Sequence, residues 1–236
     1  MSTSASPNKA SCRCVDDACH VWLTSLVVDE DEERRLLAGW PESVQQPGAR
    51  RPPHKLRESL LAWGSLRIAV SRYVGCAPET IHLSRDPHGR PQVEQPGGLF
   101  VSLSHSGDLA VTAVTRGTRV GVDVERIRPL REMALARRFF APLEADALAA
   151  LPVEERGAAF FQTWVRKEAY LKGVGAGVPA ALSQCSFFLE TAELLETSIE
   201  PRTASSWSVR DVTAWSGYAA AVAIESRTAA IHVCAL

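Results

Sequence analysis

Three short extended runs stand in a row at the middle of the chain: Leu99 to Ser104, Leu109 to Thr115 and Arg119 to Glu125. No helical segment separates them, whereas a parallel sheet needs a crossover of a dozen or more residues between strands. Strands and helices therefore mix without a βαβ rhythm, which predicts an α+β fold. The turn Arg116-Gly117-Thr118 is expected to join the last two runs as a hairpin.

On the N-terminal side, residues 1 to about 19 read as a loose tail of Ser, Ala, Pro and Cys. His20 to Val28 reads as a strand, and the acidic stretch Asp29 to Glu33 opens a helix. Pro41 to Pro53 is a proline-rich loop. Leu56, Leu60, Trp63, Val70 and Val74 then recur at helical spacing and predict a long amphipathic helix ending near Gly75. Asp86-Pro87-His88-Gly89 and Gly97-Gly98 are turns. Beyond the three strands, helices are expected over Glu132 to Leu151 and Glu155 to Gly173. Strands follow at Cys185 to Leu189, Trp207 to Val212, Tyr218 to Ile224 and Ala229 to Cys234.

Charge and composition remove several function classes. The 26 Lys+Arg and 27 Asp+Glu leave no basic excess, which argues against a general nucleic-acid binder. No run approaches the roughly 20 apolar residues that span a bilayer, and the start MSTSASPNKASCR lacks the apolar stretch of a secretory signal. A soluble, cytoplasmic protein is expected, with no membrane partner. The six cysteines show no paired framework, in keeping with a reducing compartment. Cys12, Cys14, Cys19 and His20 have zinc-ligand chemistry, but the second ligand pair that structural zinc sites use is missing.

Three constellations carry chemistry. Gly121-Val122-Asp123-Val124-Glu125 sets two carboxylates on one face of a strand, a hard oxygen pair suited to Mg²⁺. Pairing with Arg126 or Arg128 is the alternative. Trp164, Glu168 and Lys172 share one helix face, so Glu168 offers a third carboxylate and Lys172 a cation for a phosphate. Equally, the last two form a surface pair with Trp164 as core. Finally, Ser104-His105-Ser106 places a His between hydroxyls at a strand end, where phosphate oxygens can be hydrogen-bonded. A Ser-His-Asp hydrolase on Ser104, His105 and Asp108 is disfavoured, because no nucleophile elbow occurs. Gly173-Val174-Gly175-Ala176-Gly177 trails a helix and is neither a P-loop nor a dinucleotide fingerprint.

The ordered set of Ser102-Leu-Ser-His105-Ser, Val120-Gly-Val-Asp123-Val-Glu125 and Trp164-Val-Arg-Lys167-Glu168-Ala-Tyr-Leu-Lys172 resembles the Sfp-type 4′-phosphopantetheinyl transferases. Gly89-Arg90-Pro91 stands where that family has Gly-Lys-Pro, Arg138-Phe139-Phe140 to Glu144 fits its Arg-Phe-Phe…Glu stretch, and His20-Val-Trp22 resembles its first strand. The resemblance implies two similar α/β halves about a pseudo-twofold axis, here residues 20–115 and 116–236, with coenzyme A between them. It also implies Mg²⁺-dependent transfer of the phosphopantetheine arm of coenzyme A to a serine of an acyl or peptidyl carrier protein. Asp123, Glu125 and Glu168 would hold the metal, with Glu168 also a candidate base. Ser104, His105 and Lys172 would meet the pyrophosphate, and Arg90 and Arg57 the 3′-phosphate. Arg126 to Arg138, with five arginines against one glutamate, would dock the carrier or else form a solvated helix face. The length resembles monomeric, broad-specificity members that serve polyketide and nonribosomal peptide synthesis. A metal-dependent phosphohydrolase and a non-catalytic coenzyme A or carrier binder are the competing functions.

Overall fold

The computed structural model describes residues 18–40, 52–87, 89–94, 98–176, 182–202 and 204–236. The tail before residue 18, most of the proline-rich loop, His88, Gly97 and Gly177 lie outside them.

Eleven strands and five α-helices are found among these residues, a mixed α+β architecture as expected. The first sheet has the order β11-β1-β5-β4 and is built from β1 (Ala18–Ser25), β4 (Leu99–Ser106), β5 (Leu109–Arg116) and β11 (Ala230–Ala235). β1 lies antiparallel to β5 and parallel to β11, so a late strand returns to pair with the earliest one. The second sheet, order β6-β10-β9, is antiparallel throughout and uses β6 (Val120–Arg126), β9 (Ser208–Asp211) and β10 (Tyr218–Ile224). Two small hairpins complete the set, β2 (Leu83–Arg85) with β3 (Pro91–Val93) and β7 (Cys185–Phe187) with β8 (Leu194–Thr197).

The predicted hairpin over Arg116-Gly117-Thr118 is not formed. Both edges of β5 are taken, by β1 and β4, and β6 pairs with β10 in the other sheet. The true hairpin is β4–β5, closed by Gly107 and Asp108, with Gly107 at a positive φ of 55°. A second correction concerns the helix expected over Glu132 to Leu151. It is two helices, α3 (Glu132–Phe139) and α4 (Pro142–Ala150), because Pro142 has no N–H to continue the ladder and instead opens the next helix.

The sheets stack face to face between two long helices, in the order helix, sheet, sheet, helix. Cys19, Val21 and Leu23 of β1 meet Val122, Val124, Val222 and Ile224 in the core between the sheets. The other face of β1 turns Trp22 onto Leu66, Ala69 and Val70 of α2 (Pro53–Val74). Likewise Ala219, Ala221 and Ala223 of β10 face Val165 and Ala169 of α5 (Val153–Val174). Strands buried on both faces explain why the runs read as near-continuously apolar. The two long helices are alike. Each has 22 residues, follows a proline (Pro52, Pro152) and ends on a left-handed glycine (Gly75, Gly175). The acidic helix α1 (Glu30–Leu37), capped by Asp29, lies across α2 at Gly64. No helix among the described residues is long and apolar enough to cross a membrane.

Candidate functional site

Period two along β6 sends Val120, Val122 and Val124 into the core between the sheets. Asp123 and Glu125 therefore emerge on the side of α5. There the strand and the helix cross so closely that a Cβ on Gly121 would stand 2.0 Å from the Ala169 carbonyl oxygen and 2.4 Å from the Gly173 nitrogen. Only glycine permits that approach, and it brings Glu168 and Lys172 of α5 beside the strand carboxylates.

β4 runs alongside β6, although each is the edge of a different sheet. Ser102, Ser104 and Ser106 share one face of β4 and bridge the gap with their hydroxyls. Ser102 Oγ accepts the Val122 N–H at 3.0 Å, Ser104 Oγ donates to Asp123 Oδ1 at 2.6 Å, and Ser106 Oγ donates to Glu125 Oε2 at 2.8 Å. Ser106 Oγ also accepts the Arg126 N–H at 3.2 Å. Residue numbers rise together on both strands, so this serine seam joins them in parallel. Tyr218 extends it, its hydroxyl oxygen accepting the Asp108 N–H at 3.0 Å.

Lys172 Nζ donates to Asp123 Oδ1 at 2.6 Å and to Ser104 Oγ at 3.1 Å. Asp123 is almost fully buried, and its second oxygen, Oδ2, has no protein partner among the described residues. Burial, and then the charges of Asp123 and Glu125 against the opposing pull of Lys172, push the Glu168 carboxyl up to about 7. Among the described residues no cluster of three or more His, Cys, Asp or Glu is arranged to hold a metal ion. The donor chemistry nonetheless fits a hard divalent cation: three mutually repelling carboxylates and one buried oxygen left without a hydrogen bond.

The structure thus gathers Ser104, Asp123, Glu125, Glu168 and Lys172. Alternation along β4 puts His105 on the opposite face from Ser104, the side of Val101 and α2. Arg90, carried by the β2–β3 hairpin, reaches Gly175 at the exit of α5; a Cβ there would lie 2.4 Å from its Nη1. Arg90 is half-buried, and burial and Arg119 pull its pKa down against the pull of Asp86. Arg57 stands apart from the carboxylates in a forked ion pair with Glu33, at 2.8 and 2.6 Å. It lines a shallow cavity of about 220 Å³ with His54, Gly107 and Asp108. Trp164 packs on Phe139, Phe140 and Phe160 as core.

Lys167, Glu144 and Ser102 entered the sequence reading only as motif residues and Ser106 only as a hydroxyl beside His105; their contacts give them further roles. Lys167, one residue before Glu168, is fully buried and bonds Glu144 and the Cys185 carbonyl. Glu144 in turn accepts the Phe187 N–H at 2.9 Å and the Ala141 N–H at 3.0 Å. That network fixes the rotation of α5, so that Lys167 faces inward and Glu168 faces β6. The signal for the serines was their period-two spacing. Among the described residues, Cys19, Cys76 and Cys185 are free thiols, whereas Cys234 is disulfide-bonded, which corrects the expectation that no cysteines pair. Burial pushes Cys19 and Cys185 up to about 12, which keeps them protonated and poor metal ligands. Cys12 and Cys14 lie outside the described residues.

Residues 119–223 match the model of the 4′-phosphopantetheinyl transferase superfamily. The chain is 32% identical over 228 residues to the 4′-phosphopantetheinyl transferase HetI of Nostoc sp. strain PCC 7120, covering 92% of each chain. It is 36% identical over 127 residues to the 4′-phosphopantetheinyl transferase psf-1 of Bacillus pumilus, covering 54% of each. With the 4′-phosphopantetheinyl transferase Sfp of Bacillus subtilis strain 168 it shares 26% identity over 168 residues, 70% of this chain and 73% of the relative.

Proposed function

The chain belongs to the 4′-phosphopantetheinyl transferase superfamily, and from that premise we propose that it moves the phosphopantetheine arm of coenzyme A onto a serine of an acyl or peptidyl carrier protein. The observation that carries this reading is the juxtaposition of Asp123, Glu125, Glu168 and Lys172 at the crossing of β6 and α5.

In the reaction the carrier serine oxygen bonds to the β-phosphorus of coenzyme A. The bond from that phosphorus to the bridging oxygen breaks, and adenosine 3′,5′-bisphosphate leaves with the electron pair. Asp123, Glu125 and Glu168 would hold a Mg²⁺ ion, which when bound neutralises charge growing on the pyrophosphate oxygens. Lys172 supplies a fixed positive charge on the same face, held there by Asp123 and Ser104. Ser104 orients both. Arg90, half-buried and braced on Gly175, binds the 3′-phosphate, with Arg57 at the mouth of the cavity beside the β4–β5 turn. Glu168 takes the serine proton, directly or through water. A carboxylate near 7 suits that task, and the more tightly it holds a cation the weaker a base it becomes.

Arg126, Arg128, Arg131, Arg137 and Arg138 are all exposed on the segment following Glu125, and this segment docks the acidic carrier. Charge reversal at Arg131 or Arg137 is expected to raise KM for the carrier several-fold and leave KM for coenzyme A unchanged. We further read the protein as a monomeric, cytoplasmic enzyme of broad carrier specificity, in polyketide or nonribosomal peptide synthesis.

Intact-protein mass spectrometry of an apo carrier domain incubated with the protein, coenzyme A and Mg²⁺ tests the function. A gain of one phosphopantetheine, lost without metal and in Asp123→Ala, supports it. No gain on fatty-acid, polyketide and peptide carriers alike overturns it in favour of a coenzyme A binder or a phosphohydrolase.

A further inference from the structure

Of the two strand carboxylates, Glu125 is the less constrained. Asp123 has a short side chain, 6% exposed, with Ser104 and Lys172 on one oxygen. Glu125 has one more rotatable bond and a side chain 28% exposed. Two groups compete for its Oε2. Arg128 Nη1 lies 3.3 Å away on a side chain 57% exposed, and draws the carboxylate toward solvent. Ser106 Oγ lies 2.8 Å away on the seam, and draws it back toward Asp123.

Ser106 is suited to win that competition because its geometry is fixed at both ends. Its oxygen accepts the Arg126 N–H, so its own hydrogen is aimed at Glu125. Ser102 occupies the equivalent place four residues earlier and takes up the Val122 N–H, but among the described residues it bonds no carboxylate. The two serines therefore share the task of joining β4 to β6 and differ in whether they touch a candidate ligand.

We propose that Ser106 is a positioning residue for the cation site: its hydroxyl holds the Glu125 carboxylate where it shares one divalent ion with Asp123 and Glu168. The inference rests on the cation-binding part of the reading above. Groups that hold a metal's ligands from behind typically change affinity by 10- to 100-fold when removed, and because Asp123 and Glu168 would still hold the ion the expected loss is about tenfold.

The test is direct binding of Mn²⁺ to the full chain, followed by electron paramagnetic resonance in the absence of coenzyme A and carrier, with urea unfolding of each variant alongside. Ser106→Ala is expected to weaken Mn²⁺ binding about tenfold, while Ser106→Thr, which keeps the hydroxyl, stays within about twofold of the natural protein. Ser102→Ala is expected to lower the unfolding midpoint with no change in Mn²⁺ affinity, which separates holding the seam from holding the ligand. Unchanged affinity in Ser106→Ala, or an equal loss in Ser106→Thr, overturns the proposal. So does natural protein that binds no Mn²⁺, which removes the cation site as well. If Mn²⁺ binds as expected and no carrier is modified, the transfer reading fails and the role of Ser106 stands.

Discussion

The same substitution at two glycines should have opposite effects. A methyl on Gly121 would place its carbon 2.0 Å from the Ala169 carbonyl oxygen and 2.4 Å from the Gly173 nitrogen, against 3.4 Å for an ordinary contact. Both obstacles are backbone of one helix, so α5 must retreat from β6 by more than about 1 Å. Overpacking of this kind costs about 1–3 kcal/mol, and rigid obstacles put Gly121→Ala near the upper end. For a chain of this size that corresponds to a fall in Tm of roughly 6–12 °C. The retreat also parts Glu168 from Asp123, since Ala169 and Gly121 lie one and two positions from them. A misplacement of about 1 Å can cost on the order of a hundredfold in rate. Gly157, by contrast, lies within α5 with nothing within 4 Å of where a Cβ would stand. Gly157→Ala should stabilise by about 0.5–1 kcal/mol through helix propensity and leave carrier modification unchanged. Calorimetry and timed mass spectrometry of the carrier check both. A Gly121→Ala protein with natural Tm and rate would refute the claim that this crossing sets the carboxylate geometry.

Two further outcomes follow from buried charge. Lys167→Met leaves the buried Glu144 carboxyl without its cation, which should cost about 3–5 kcal/mol in urea unfolding. Adding Glu144→Leu should recover much of that, and no recovery would show that the network, not the lone charge, matters. Glu168 sits near 7 in the folded chain against an ordinary 4.5, so the folded state holds this proton more tightly than the unfolded state. The resulting stability is complete below about pH 4.5 and is lost as pH rises through about 7, on the order of 3 kcal/mol in chelator. Glu168→Gln should flatten that slope, and Mg²⁺ should stabilise the natural protein more at pH 8 than at pH 5. An identical slope in the variant would assign it elsewhere.

Much of the candidate site was legible because its residues obey local periods. Asp123 and Glu125 alternate on a strand, and Trp164, Glu168 and Lys172 recur at a helical turn. The long helices were equally plain, from apolar spacing closed by glycine. What escaped depends on neighbours distant in sequence. A Gly-containing turn looks alike whether the chain folds back into the same sheet or passes to another, so Arg116-Gly117-Thr118 suggested a hairpin that β1 and β4 pre-empt. That Ser104 and Ser106 bond Asp123 and Glu125 could not be read from their strand, because β6 comes beside β4 only in the folded chain. Lys167 looks like a surface charge until α4 brings Glu144 to it. Pro142 was the exception, a local signal for a helix break that was there to be read.

The parallel pairing of β1 with β11 also sets an order of events during synthesis. β1 leaves the ribosome early, yet its outer neighbour follows only about 200 residues later, roughly 10–40 s at ordinary elongation rates. Through that interval a strand whose Val21, Trp22 and Leu23 are destined for burial has at least one unpaired edge, the state most open to wrong partners. Chaperone supply and translation speed, more than the strength of the finished fold, should therefore govern how much of this protein a cell recovers in active form.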